Sequence, residues 1–84
     1  MKAPKRFVYV IRSCADGRRY YTGLTSDAVA RLASHDDGEC RYTARYRPWK
    51  LDVTIEFSDE TRAIAFERYL KSGSGSAFAV RHFR

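Results

Sequence analysis

Two hydrophobic rhythms organise this chain. Phe7-Val8-Tyr9-Val10-Ile11 is nearly continuously apolar, as expected of a strand covered on both faces. Its pleat puts Phe7, Tyr9 and Ile11 on one face. The Tyr9 hydroxyl then lies among apolar neighbours and needs a partner. Asp16-Gly17 is a turn signal, so we predict a hairpin with strands at about 7–12 and 19–24. That hairpin brings Tyr9 toward Tyr21. The second strand runs through Tyr20-Tyr21-Thr22 into Gly23, a residue that allows close backbone approach or a positive φ. Thr25, Ser26 and Asp27 offer N-cap oxygens to a helix predicted from about Ser26 to Asp36. Its apolar stripe is Val29, Leu32 and Ala33. Arg31 and His35 lie along the flank at i and i+4, and Gly38 is the expected stop.

Neither rhythm holds from Glu39 to Lys50, where Arg41, Tyr42, Arg45, Tyr46, Arg47, Trp49 and Lys50 interleave basic and aromatic residues. Pro48 argues against regular helix there. We expect an exposed loop with room for one helical turn. Its composition suits a phosphate backbone with stacked bases; the competing reading is a solvated loop whose aromatics pack on the core. Leu51 to Phe57 alternates again, predicting a half-buried strand with Leu51, Val53, Ile55 and Phe57 facing in. Ser58 or Asp59 caps a second helix, from about Asp59 to Ser72, with Ala63, Phe66 and Leu70 inward. Glu67 falls beside that stripe, where a carboxylate is costly without a partner. Lys71 at i+4 is one candidate partner. Ser72-Gly73-Ser74-Gly75-Ser76 reads by composition as a flexible linker. It reads equally as a helix stop followed by a new cap, with a short helix at about Ser76–His82 returning Phe78 and Phe83 to the core.

Composition narrows the class. A chain of 84 residues suggests one domain over 1–84, with a basic lead at 1–6 expected to be poorly ordered. Such a domain buries roughly 60–65% of its surface, leaving little stability to spare. Hydrophobic content of 44% and charged content of 31% exclude a disordered chain. The net charge of +6 permits a polyanionic partner without demonstrating one. Cys14 and Cys40 lack paired CxxC spacing, so free thiols in a reducing compartment are expected and zinc is not. No signal-peptide pattern or membrane-length apolar run is present, so a cytoplasmic protein without membrane contact is expected.

Tyr9, Tyr21, Arg31, His35 and Glu67 together hold the parts of metal-assisted phosphodiester hydrolysis. Glu67 supplies a carboxylate for a hard cation, which keeps several waters. Arg31 can reach two phosphate oxygens at once. Tyr21 or His35 can position or deprotonate the water. Each residue alone has a plainer explanation: strand aromatics for the tyrosines, a surface charge for Arg31, a macrodipole complement for His35, an ion pair for Glu67. Their order along the chain favours the joint reading.

Phe7-Val8-Tyr9, Tyr21-Thr22-Gly23, Arg31, His35 and Glu67 followed by Lys71-Ser72-Gly73-Ser74-Gly75 resemble the GIY-YIG nuclease family. The chain is particularly similar to the family's small stand-alone bacterial members, from about residue 6 onward. The resemblance implies an α+β fold of order β-β-α-β-α-(α), with a three-stranded antiparallel sheet flanked by helices. It implies metal-dependent hydrolysis of nucleic-acid phosphodiesters through one divalent cation, Mg²⁺ or Mn²⁺. With the basic aromatic segment, the leading expectation is an endonuclease on DNA, structure-directed, in DNA repair or recombination, while the sequence leaves DNA versus RNA open. By resemblance Glu67 matches the metal-binding glutamate and Arg31 the arginine at the scissile phosphate. Tyr21 matches the tyrosine that orients or deprotonates the water. Tyr9 matches the first-motif tyrosine, His35 stands where members carry histidine or tyrosine, and Gly23 is the motif glycine. Arg41, Tyr42, Arg45, Arg47, Lys50 and Lys71 are the expected nucleic-acid contacts. The chain departs from the family in the missing first-motif glycine, in Thr22 for isoleucine, in Leu24 where some members carry lysine, and in having no asparagine at all. Two alternatives stay open: a non-catalytic nucleic-acid-binding module, and a protein adaptor anchored on Trp49, Tyr42 and Tyr46. A protein partner that supplies specificity is compatible with either, and the sequence leaves the oligomeric state open.

Overall fold

The computed structural model describes residues 3–84; Met1 and Lys2, part of the lead expected to be poorly ordered, lie outside them. The next residues of that lead are held. The Lys5 amide donates to Glu60 at 2.7 Å. The Arg6 carbonyl accepts from the Phe57 amide at 2.8 Å, and its guanidinium pairs with Glu56.

The predicted hairpin forms as β1 (Phe7–Ser13) and β2 (Tyr20–Thr25). Its turn is closed by the Arg19 amide donating to the Asp16 carbonyl at 2.9 Å. β3 (Trp49–Glu56) pairs with the other side of β1, giving an antiparallel sheet in the order β2-β1-β3. The elements run β-β-α-α-β-α-α. α1 (Ala28–Asp36) and the single turn α2 (Arg41–Ala44) precede β3; α3 (Glu60–Leu70) and α4 (Gly73–Phe83) follow it. The fold is thus α+β, with an open sheet between helices.

Alternation along β1 sorts the core into two layers. Val8 packs with Ala63 and Leu70 of α3 and Ala79 of α4, joined by Leu24, Phe57, Phe66, Phe78 and Phe83. Tyr9 and Ile11 point the other way, toward Trp49, Tyr21, Leu32, Tyr46 and Leu51. The first layer is apolar. The second is built largely from aromatic residues with polar tips, and it holds the candidate site.

Four details differ from the sequence-based expectation. The α1 stripe is rotated: Val29 is 74% exposed and Ala33 is exposed, while His35 is fully buried. Leu32 alone of the predicted stripe packs on the sheet, because the flank carrying His35 finds polar partners there. β3 is also split. Ile11 pairs with Leu51 but Val10 with Val53, so Asp52 is an extra residue in the ladder. This bulge sends Leu51 to the α1 side and Val53 and Ile55, by their pairing with Val10 and Val8, to the α3–α4 side.

The glycine-serine stretch is no linker. Ser72 caps α4, its hydroxyl accepting from the Gly75 amide, and the helix begins at Gly73. A Cβ on Gly75 would run into the Tyr69 carbonyl and come within 2.6 Å of the Leu70 Cα. That glycine allows the close α3–α4 crossing and has nothing to do with flexibility. Lastly, Trp49 is 3% exposed and its indole N–H donates to the Thr43 carbonyl at 2.8 Å. It is a core residue and cannot serve as a docking anchor.

Candidate nucleic-acid processing site

The site begins with one cross-strand pair. Tyr9 of β1 sits opposite Gly23 of β2, so both face the same side of the sheet. The hydroxyl end of the Tyr9 ring lies against the glycine. A Cβ there would come within 2.5 Å of the ring's Cζ and 2.7 Å of its Cε1. Gly23 is therefore fixed by close approach; the chain's positive-φ glycine is Gly38, at 80°, which ends the α1 region as predicted.

Two residues before Gly23, Tyr21 returns to the same face. Its ring centroid lies 6.4 Å from that of Tyr9. α1 is capped by the Asp27 carboxylate, which accepts from the Ala30 amide at 3.1 Å. The helix lays His35 against both tyrosines, with centroids 5.8 Å from Tyr9 and 4.9 Å from Tyr21. The Tyr9 hydroxyl and His35 Nε2 share a hydrogen bond of 2.8 Å, with both residues buried. One helical turn earlier, Arg31 stands beside the Tyr9 hydroxyl.

These contacts set the protonation states. Burial raises the Tyr9 pKa above its ordinary value, and the Arg31 charge offsets only part of that. Burial lowers the His35 pKa, the Arg31 charge lowers it further, and Asp36 pulls the other way. Burial disfavours the Arg31 charge, but Tyr9, then Tyr21 and Cys40, outweigh it, so the guanidinium is held protonated. The result is a neutral phenol and a neutral imidazole facing a fixed cation, a polarity suited to an anionic ligand.

Glu67 comes from a different helix. It sits on α3, the helix that packs on β1 and β2, and its side chain is 16% exposed. It forms an ion pair with Lys71, the partner at i+4 that the helical spacing offers. No hydrogen bond or ion pair among the described residues joins Glu67 to Tyr9, Tyr21, Arg31 or His35. No group of three or more histidine, cysteine, aspartate or glutamate side chains among the described residues is arranged to hold a metal. A single carboxylate does suit magnesium, which commonly takes one or two protein carboxylates and fills its shell with water and substrate phosphate.

The predicted binding residues from Arg41 to Lys50 face solvent. Arg41, Tyr42, Arg45, Arg47 and Lys50 are all exposed. Tyr42 extends the aromatic row outward: its centroid is 6.2 Å from Tyr21 and 5.7 Å from Tyr46. The Arg19 guanidinium covers Tyr46 at 4.7 Å. Lys71, at the end of α3, is engaged by Glu67.

Four residues outside the predicted site group join it: Thr43, Cys40, Arg19 and Tyr46. Thr43 is fully buried, and its hydroxyl lies 2.7 Å from His35 Nδ1. Cys40 caps α2; the Thr43 amide, then the Thr43 hydroxyl, hold its thiol pKa below the ordinary value. Arg19 and Tyr46 form the cation–π pair. Their spacing, eight residues from His35 to Thr43 and 27 from Arg19 to Tyr46, fits no helix or strand period, so only the fold unites them.

Residues 5–79 match the family described as the GIY-YIG catalytic domain. The chain is 34% identical over 84 residues to a UPF0213 protein of Listeria monocytogenes, covering 95% of this chain and 92% of the relative. It is 39% identical to a UPF0213 protein of Natronomonas pharaonis, covering 83% and 81%. It is 35% identical to one of Bacillus subtilis, covering 84% and 71%. No solved structure matches the chain.

Proposed function

The chain belongs to the GIY-YIG family of nuclease domains, and from that premise we propose that it is a divalent-metal-dependent endonuclease acting on DNA, directed by structure more than by sequence. The observation that carries this reading is the contact of the buried Tyr9–His35 pair with Tyr21 and the protonated Arg31, beside an exposed basic and aromatic segment.

In this reading Arg31 meets the scissile phosphate and stabilises the charge that grows on its oxygens. Tyr21, at the outer side of Tyr9 and His35, orients the attacking water. Tyr9 is too buried to meet solvent and holds Arg31 in place. Glu67 would hold one Mg²⁺ or Mn²⁺ ion, which when bound supplies Lewis-acid stabilisation of the phosphoryl oxygens. Lys71 occupies Glu67 until then. Arg41, Arg45, Arg47 and Lys50 take flanking phosphates, and Tyr42 offers a face for a base.

The ion pair on Glu67 favours a second reading, a nucleic-acid-binding module without cleavage. Cleavage of labelled branched, duplex and single-stranded DNA with magnesium, manganese or EDTA separates the two. The nuclease reading expects metal-dependent cutting that Glu67→Gln and Arg31→Ala abolish with binding kept. Wild-type rates in those variants, or binding without cutting under every metal, would overturn it.

A further inference from the structure

We propose that Thr43 is a positioning residue: it fixes the direction of a buried hydrogen-bond chain through His35 and so orients Tyr9. The kinetic part of this proposal rests on the nuclease reading above; the tautomer on which it turns does not.

Both ring nitrogens of His35 are engaged inside the protein, Nε2 by Tyr9 at 2.8 Å and Nδ1 by Thr43 at 2.7 Å. Both neighbours carry hydroxyls, so the distances alone leave the direction of the chain open. Its inner end decides it. At the inner end the Thr43 hydroxyl meets the Cys40 carbonyl, 3.3 Å away, which only accepts. Thr43 therefore donates to Cys40 and accepts from His35, which places the imidazole proton on Nδ1. At the outer end Arg31 faces the Tyr9 oxygen and only donates. The bare Nε2 then accepts the proton of the Tyr9 hydroxyl at 2.8 Å. The chain runs from Tyr9 to His35 to Thr43 to Cys40, with Arg31 beside its outer end.

Thr43 is held in this role from behind. Trp49 donates to its carbonyl at 2.8 Å, and the Trp49 amide donates to Asp36 Oδ1 at 2.7 Å, tying α2 to the end of α1. No buried side-chain polar atom among the described residues lacks a partner. A reversed histidine would turn an N–H toward Tyr9. The tyrosine proton would then leave His35 for the side on which Arg31 stands. Thr43 touches no reacting atom in this scheme; it acts through His35.

The test is the His35 tautomer, read by long-range proton–nitrogen NMR on the labelled full chain carrying His82→Gln, which leaves one imidazole. The expected spectrum shows a protonated Nδ1 and a bare Nε2. A protonated Nε2 would overturn the proposal. Thr43→Val keeps the shape and removes the acceptor, so it should mix or invert the tautomers. Thr43→Ser should restore the parent spectrum. If the valine variant does not fold, the parent and serine spectra still decide, because an inverted serine spectrum contradicts the proposed direction.

In cleavage assays Thr43→Val should lower kcat by roughly 10–100-fold, the range seen when a partner that orients an imidazole is removed from a metal site. KM should change little and serine should rescue. Unchanged tautomer and kcat in Thr43→Val would overturn the proposal. Absence of cleavage by the parent chain, with the expected tautomer present, would overturn the nuclease reading and uphold the tautomer.

Discussion

Gly23→Ala is the most direct probe of how the site is built. The added methyl group would sit 2.5 Å from the Tyr9 Cζ, well inside van der Waals contact. Tyr9 cannot swing aside freely, being 1% exposed and bonded through its hydroxyl to His35 at 2.8 Å. Forcing a methyl group into a packed core costs about 1–3 kcal/mol. Displacing the phenol also leaves His35 Nε2 buried without a partner, at about 1–3 kcal/mol. The two overlap, so the expected loss is about 2–4 kcal/mol. A domain of this size has roughly 4–13 kcal/mol in total, so the variant should fold but melt on the order of 10–30 °C lower. Urea unfolding read by the fluorescence of Trp49, the sole tryptophan and a buried one, gives the number directly. Gly73→Ala is the control: nothing lies within 4 Å of its added Cβ, so stability should hold or rise slightly. A loss under about 0.5 kcal/mol for Gly23→Ala, in the range of ordinary surface substitutions, would refute close approach as the reason for the glycine.

Other consequences follow from the same contacts. Gly75→Ala, whose methyl group meets backbone on α3, should destabilise more than Gly23→Ala in the same urea assay. His35 has its pKa lowered from 6.5 in the folded chain, so the unfolded chain binds the extra proton first as pH falls. The His35 contribution to stability should be full above about pH 6.5 and be lost as pH falls from there through the folded-state value. Urea midpoints between pH 8 and 5 should fall accordingly, less so in His35→Gln. Lys71→Ala removes the cation competing for Glu67 while costing under about 1 kcal/mol of stability, as partly exposed pairs do. Magnesium titrations should then show tighter binding than in the parent chain. Arg41→Ala or Lys50→Ala should reduce the slope of log affinity against log salt on duplex DNA by about 0.9 for each phosphate no longer neutralised; an unchanged slope would remove that residue from the interface.

The hairpin, α3 and the inward trio Ala63, Phe66 and Leu70 were legible because period and composition agreed there. Tyr9, Tyr21, Arg31 and His35 were legible as a group through motif order. The face of α1 was not: Val29 and Ala33 make a better apolar stripe than Arg31 and His35, and only the tyrosines opposite reverse that preference. The bulge at Asp52 carries no signal within β3, since it is set by pairing with β1. Gly73 and Gly75 looked like linker glycines because the α3 backbone that crowds Gly75 is brought there by the crossing of two helices. Thr43 is one threonine in a basic loop until the histidine arrives beside it. In each case the deciding partner lies in another element, where a local pattern cannot register it.

In the proposed nuclease, Glu67 on α3 and the tyrosine–arginine–histidine face act as one metal-dependent site, although no hydrogen bond or ion pair spans them among the described residues. The measurement that tests this most directly is a magnesium titration followed by NMR with a short, uncleavable branched DNA bound, repeated with Glu67→Gln. A single shared site predicts coupled shifts at Glu67, Tyr21 and Arg31 with one midpoint, all abolished in the variant. Shifts confined to Glu67, or none in the parent chain with DNA present, would contradict it.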